Sequence, residues 1–91
     1  MPSGGTLVGM DGDLSVAIGK VMGDVLVRGP LAAHEDFFEC GGDSLRAIEV
    51  LQRLATENAG VRSTEMQAVL LEGIFDDASP AGLASVVSAH A

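Results

Sequence analysis

Apolar residues recur at helical spacing in four stretches of the chain, and glycine-rich or polar segments separate these stretches. Asp13 precedes the first stretch and can cap a helix, while Gly29-Pro30 follows it and ends the pattern because proline lacks a backbone donor. We therefore predict a first helix over about 13–27. Its buried stripe repeats at i, i+4, i+7, i+8 and i+11 and consists of Leu14, Ile18, Val21, Met22 and Val25.

Two glycines lie inside this helix. Gly19 and Gly23 each lower its intrinsic stability by roughly 1 kcal/mol relative to alanine, so packing must hold the helix together. The preceding residues contain several more glycines and no sustained period. We predict that residues 1–12 form a flexible tail and that the domain spans residues 13–91.

A second helix is predicted to begin at Ser44 and to end near Gly60. A long loop leads to it and contains the adjacent Phe37 and Phe38, of which only one can face the core while the other covers the loop. At 100° per residue, one face of the helix is apolar and the opposite face is charged. The predicted buried residues are Ala47, Ile48, Leu51, Leu54 and Ala55, and the charged ones are Arg46, Glu49, Arg53 and Glu57.

Two further helices follow. Thr64 and Gln67 have the spacing of a capping box, and the third helix after them is short and breaks near Gly73. Ser79 followed by Pro80 is typical of a helix start, with an N-cap side chain and proline at the first helical position. No segment alternates with period two, so we predict an all-α fold: a four-helix bundle with a long loop between helices 1 and 2.

Composition and charge exclude several function classes. Five basic and 13 acidic residues give a net charge of -8, which repels nucleic acids and anionic membranes. No apolar run is long enough to span a bilayer and no basic N-terminal leader is present, so we expect a cytoplasmic protein. Cys40 is the only cysteine, which excludes an intrachain disulfide and a cysteine-rich zinc site, and we expect it to pack in the core.

The run Gly41-Gly42-Asp43-Ser44-Leu45 stands at the start of the second helix. A serine at a helix N-terminus beside two glycines is unhindered, and a phosphodiester on its hydroxyl lies close to unpaired N–H groups and the positive end of the helix dipole. The alternative from the residues alone is that Ser44 or Asp43 simply caps the helix.

From Phe37 to Leu45 the sequence resembles the peptidyl carrier proteins, or thiolation domains, of nonribosomal peptide biosynthesis, and the similarity extends over 14–87. The resemblance implies an acyl-carrier fold and a non-catalytic role. A phosphopantetheinyl transferase would move 4'-phosphopantetheine from coenzyme A to Ser44, at a site that includes Gly41, Gly42 and Asp43. Because Asp43 is adjacent to Ser44 and acidic, our hypothesis is that in the transferase complex it helps to position the metal that accompanies coenzyme A. The distal thiol would then carry an aminoacyl group from an adenylating enzyme to condensation or tailoring enzymes.

The sequence departs from the family pattern at three places. Cys40 stands where leucine is usual, the connection over 60–74 is longer, and Ala78 occupies a position where proline is common. On the second helix we predict a partner-binding face with Leu45 as its apolar anchor and Arg46 as a charge that repels enzymes with basic docking patches. The full predicted face is Leu45, Arg46, Glu49, Val50 and Arg53.

Three alternatives stay open at this point. The strong negative charge also suits an acyl carrier of polyketide or fatty acid synthesis. Gly42-Asp43-Ser44-Leu45 matches the nucleophile block of a family of serine hydrolases, although no apolar strand precedes Ser44 and His90 lacks an aspartate three residues before it. The third alternative is an acidic adaptor protein in which Ser44 is not modified.

The chain opens with methionine and stops just beyond the last helix, so we expect a free-standing monomer.

Overall fold

The computed structural model describes residues 2–57, 61 and 63–90, with side-chain environments from residue 14 onwards, and these residues form four helices and no strand. Helix α1 packs against α2 and α4, and α3 packs against the same two helices. The predicted all-α four-helix fold is confirmed. Within the described ranges, no helix combines the length and apolarity needed to cross a bilayer. The helices are α1 (Pro2–Leu26), α2 (Ser44–Glu57), α3 (Thr64–Asp76) and α4 (Pro80–His90).

One continuous core joins the four helices and the long loop. Phe37 is the loop's contribution and is fully buried, which confirms that one of the two adjacent phenylalanines faces the core. The apolar stripe predicted for α1 contributes fully, apart from the partly buried Leu14 at its start. The largest side chains with almost no exposed surface are Phe37, Ile18, Met22, Leu54, Leu70, Ile74 and Leu83.

Helix α1 begins much earlier than predicted. It starts at Pro2 and continues through Asp13, so the predicted start at Asp13 was wrong. Proline is well tolerated at the first helical position, and no second proline follows before Pro30, so nothing in the segment forbids a helical backbone. The domain boundary that we placed between residues 12 and 13 stays a prediction.

The C-terminal end of α1 is a Schellman cap built around Val27. The Val27 N–H donates to the carbonyl of Asp24 at 3.2 Å, and the Arg28 N–H donates to that of Gly23 at 2.9 Å. Val27 has a φ of 58°, in the left-handed region that this cap normally gives to glycine. A β-branched residue is strained in that conformation, so this turn persists only because its surroundings hold it.

After the cap the chain turns back along α1, and the two glycines of the helix make room for it. The Leu31 N–H donates to the Gly19 carbonyl at 3.0 Å. A Cβ on Gly23 would lie 2.5 Å from the Gly29 carbonyl oxygen, and one on Gly19 would overlap the Leu31 oxygen. The glycines that weaken the helix are therefore the residues that let the loop backbone touch it.

The loop is also tied to the start of α4. The Phe37 N–H donates to the Ala78 carbonyl at 3.0 Å, and the Ala81 N–H donates to the Ala33 carbonyl at 2.9 Å. Pro80 is buried at this junction. The predicted cap of α4 is confirmed, since the Ser79 hydroxyl accepts the Gly82 N–H at 3.0 Å.

Helix α3 differs from its prediction at both ends. Ser63, and not Thr64, is the N-cap, and its hydroxyl accepts the Met66 N–H at 3.0 Å. The helix runs unbroken through Gly73, so the predicted break was wrong: Val86 of α4 lies directly over this glycine and fills the space of a side chain. The predicted end of α2 at Gly60 lies outside the described residues, and α2 ends at Glu57.

The packing at Gly23 reverses the usual effect of a helix substitution. We expect Gly23→Ala to lower the free energy of unfolding by about 1 to 3 kcal/mol, because the new methyl group would press against the loop backbone. Helix propensity alone predicts a gain of about 1 kcal/mol. Urea denaturation decides between the two signs, with Gly29→Ala as a control because nothing lies within 4 Å of a Cβ there.

Candidate functional site

Asp43 caps α2 and leaves Ser44 free. The Asp43 Oδ1 accepts the Arg46 N–H at 2.9 Å, and the Asp43 carbonyl accepts the Ala47 N–H at the same distance. Ser44 is therefore the first residue within the helix, and it is exposed. No hydrogen bond joins its hydroxyl to the part of the chain that the structure describes. Of the two candidate N-cap residues, Asp43 caps the helix, and the Ser44 hydroxyl remains available for modification.

A sequence of tight turns brings the chain to Asp43. The Asp36 carboxylate accepts the N–H groups of Phe38 and Glu39 at 2.8 and 3.1 Å. The Gly42 N–H then donates to the Phe37 carbonyl at 3.0 Å. These bonds fold the loop over the buried Phe37 ring immediately before α2.

The two glycines of the motif serve different purposes. Gly41 has a φ of 111°, which strains any residue with a side chain, although the space around it is open. Gly42 lies against the Phe37 ring, which a Cβ would overlap. One glycine thus allows the turn and the other allows the close contact with the core, and together they leave the approach to Ser44 without side chains of their own.

Three aromatic rings connect this turn to the end of α3. The rings of Phe37 and Phe38 meet edge to face with centroids 5.6 Å apart, and Phe38 stacks on Phe75 at 5.6 Å with an interplanar angle of 12°. Phe75 is still 56% exposed. Its role in supporting the site was missed from the sequence, where it appeared only as part of Ile74-Phe75-Asp76 in the family resemblance.

The outward face of α2 matches its prediction except at one position. Leu45 is 77% exposed beside Ser44, and Arg53 pairs with Glu49 at 3.1 Å. Val50 was predicted at the edge of this face, and that prediction was wrong because it is fully buried.

Ile48 was predicted in the core, and it is 42% exposed instead. The buried stripe of α2 is centred between Ala47 and Val50, so Ile48 lies at its margin. With Leu51 and Leu71 it lines an apolar groove between α2 and α3.

Arg46 has a contact that the sequence did not indicate. Its Nη1 donates to the Val25 carbonyl at 3.1 Å, so the side chain crosses from the first turn of α2 to the last turn of α1. The residue is exposed overall, but the end of its guanidinium group is committed to this bond.

Cys40 packs against the core, but it lies at the edge and is only half-buried, so it is more accessible than predicted. Across the described residues, no three His, Cys, Asp or Glu side chains come together as a metal site. A metal-positioning role for Asp43 therefore concerns only its complex with a transferase, and stays a prediction.

The first turn of α2 fits a phosphodiester on Ser44. With Asp43 occupying the Arg46 N–H, the backbone N–H groups of Ser44 and Leu45 remain without a partner among the described residues. They lie at the positive end of the helix dipole, which favours an anionic group. The flanking glycines leave space for a bulky substituent on the hydroxyl oxygen.

The division of roles at this helix start predicts different effects of two neighbouring substitutions. We expect Asp43→Ala to lower the free energy of unfolding by about 1 kcal/mol, because it removes the cap. Asp43→Asn retains an acceptor oxygen and should change little. Ser44→Ala should also change little, and a loss as large as that of Asp43→Ala in urea denaturation would show that the hydroxyl supports the fold.

Comparison with known proteins agrees with this geometry. Residues 16–69 match the family described as "Phosphopantetheine attachment site". Over 77 residues, or 85% of its length, the chain is 32% identical to a component of the linear gramicidin synthase of Brevibacillus parabrevis. It is 38% identical over 64 residues, 70% of its length, to a component of the plipastatin synthase of Bacillus subtilis (strain 168).

The matched segments span only 1% and 2% of these two relatives. No solved structure gave a significant match to the chain. The family match covers more than half of the chain and includes the whole of α2 with its Gly-Gly-Asp-Ser-Leu start. The chain therefore belongs to the phosphopantetheine attachment family, the carrier domains that hold 4'-phosphopantetheine covalently.

Proposed function

We propose that this chain is a non-catalytic peptidyl carrier that bears 4'-phosphopantetheine on Ser44 and presents an aminoacyl group in nonribosomal peptide synthesis. The observation that carries the proposal is the exposed Ser44 hydroxyl, which is free of hydrogen bonds to the described residues while Asp43 caps the helix. When bound, the group supplies a thiol on a long arm, on which a thioester can form.

The surrounding residues have supporting tasks in this proposal. Asp43 holds the first turn of α2 in place, and Ser44 beside it stays exposed. Gly41 and Gly42 keep the approach to the hydroxyl open to a transferase. Leu45 offers an exposed apolar side chain next to the reacting oxygen, the kind of residue that anchors an interface when a partner buries it.

Two observations favour an aminoacyl cargo. The relatives are named as subunits of linear gramicidin synthase and of plipastatin synthase, which favours a peptide-forming pathway for this chain as well. The outward face of α2 also carries Arg46 and Arg53 beside Glu49, a mixed surface, whereas the net charge of -8 that favours a fatty-acyl or polyketide carrier belongs to the chain as a whole. We favour the aminoacyl carrier.

The proposed partners are enzymes that approach this end of the molecule. A phosphopantetheinyl transferase must reach Ser44 itself, and an adenylating enzyme must reach the thiol of the arm. Condensation or tailoring enzymes then take the acyl group. The predicted contact surface for all of them is the part of α2 exposed around Leu45, with Arg46, Glu49 and Arg53 beside it.

The attachment site is tested by the mass of the intact protein. Incubation with coenzyme A and a broad-specificity transferase should convert the chain to a form heavier by one phosphopantetheine. Ser44→Ala should not convert. Ser85→Ala is the matched control, because Ser85 is exposed on α4, and it should convert like the wild type. An unchanged wild-type mass, with a known carrier converting in the same tube, would favour an unmodified adaptor over a carrier.

The cargo is tested by loading the pantetheinylated protein with an amino acid from a separate adenylating enzyme. Only the pantetheinylated form should accept the amino acid, and hydroxylamine should release it because the bond is a thioester. Cys40 is a half-buried thiol and needs its own control. Cys40→Ala should load normally; loading of Ser44→Ala that disappears when Cys40→Ala is added would place the cargo on the cysteine.

A further inference from the structure

We propose that Arg46 is a positioning residue that ties the C-terminal end of α1 to the first turn of α2 and so sets how Ser44 is presented to the transferase. The proposal rests on the proposed function of Ser44. It gives Arg46 a role different from the partner-repelling charge expected from the sequence.

Arg46 makes one hydrogen bond through its backbone and another through its side chain. Its backbone N–H is held by Asp43, and its Nη1 donates to the Val25 carbonyl at 3.1 Å. Ser44 and Leu45 lie between Asp43 and Arg46 in the sequence, so both ends of this capping turn are fixed. Because the side chain is also bonded to Val25, the orientation of the first turn of α2 depends on the position of the C-terminal end of α1.

The Val25 carbonyl is one that α1 cannot satisfy by itself. The last four carbonyls of a helix have no intrahelical partner, and the Schellman cap uses only those of Gly23 and Asp24. The guanidinium group supplies a donor for the next carbonyl, and its positive charge lies at the negative end of the α1 dipole. The bond is therefore charge-assisted and joins two helices that are far apart in sequence.

The bond from Arg46 matters more for the orientation of this end of α1 because the backbone there is strained. Val27 is held in the left-handed region only two residues after Val25, and its side chain is 87% exposed, so core packing does not fix it. The Arg46 bond adds a tie to α2 at this end of α1, beside the two backbone bonds of the cap. By contrast, Arg53 pairs with Glu49 within α2 and links this helix to no other described element.

The test compares transferase kinetics of the wild type and four variants at saturating coenzyme A. We expect Arg46→Met to lower kcat about fivefold with KM unchanged, because the guanidinium group is engaged with α1 rather than with the docking enzyme, and its loss leaves the hydroxyl less often in position. Leu45→Ala should show the opposite split, a raised KM with kcat retained, because it removes a docking contact. Lys20→Met removes an exposed charge from the middle of α1 and should match the wild type in both constants.

Amide hydrogen exchange on the free proteins gives a readout that does not depend on modification. In Arg46→Met, exchange should be faster at Val27 and Arg28 in the α1 cap and at Ala47 in the first turn of α2. In Lys20→Met it should be unchanged. Arg46→Lys keeps a donor and a charge, and it should restore exchange protection and kcat together.

The proposal is overturned if Arg46→Met raises KM with kcat unchanged, as a docking residue would, or if exchange in the two capping turns stays at the wild-type rate. It is also overturned if Arg46→Lys restores protection without restoring kcat. Failure of the proposed function is a separate result: the wild type would then gain no mass, while the exchange measurements would still test the link between the helices.

Discussion

The close contact between the returning loop and α1 determines where every later part of the chain lies. Gly23 and Gly19 let the loop backbone run directly against the helix, and this sets the start of the loop. Bonds to the α4 junction at Ala33 and Phe37 set its end. Since α2 begins only a few residues beyond Phe37, the position of Ser44 depends on the contacts that the loop makes with α1 and α4 and not on α2 alone.

At the site itself, the structure separates two tasks that serine and aspartate often share. Either residue type can cap a helix, and a capping hydroxyl would be engaged with the backbone. Here Asp43 provides the cap, so the hydroxyl oxygen of Ser44 is not needed to hold the helix start. It can therefore be modified without a loss of helix stability. A charged cap also places a carboxylate beside the attachment point, where it contributes to the field that an incoming anionic donor meets.

The periodicity of apolar residues predicted four helices, and the local motif predicted a helix start at Ser44, because both depend on neighbours a few residues away. Val50 and Ile48 were misassigned because they lie at the edges of the apolar stripe predicted for α2. Which edge residues are buried depends on the directions of the other helices, and the spacing of apolar residues within one helix carries no information about those directions. The break expected at Gly73 failed for a similar reason, since a residue from another helix packs there. The link from Arg46 to α1 spans 21 residues and has no local signal.

The aromatic rings near the attachment site give the protein a built-in spectroscopic reporter. The sequence contains no Trp or Tyr and only three Phe, and all three belong to the one cluster of Phe37, Phe38 and Phe75. The aromatic region of a proton NMR spectrum, apart from the two histidines, therefore reports on one place in the fold. Ring currents from this cluster act on the turn that leads into Ser44. Proton chemical shifts of the unlabelled protein can therefore follow the attachment of an arm or the docking of an enzyme there.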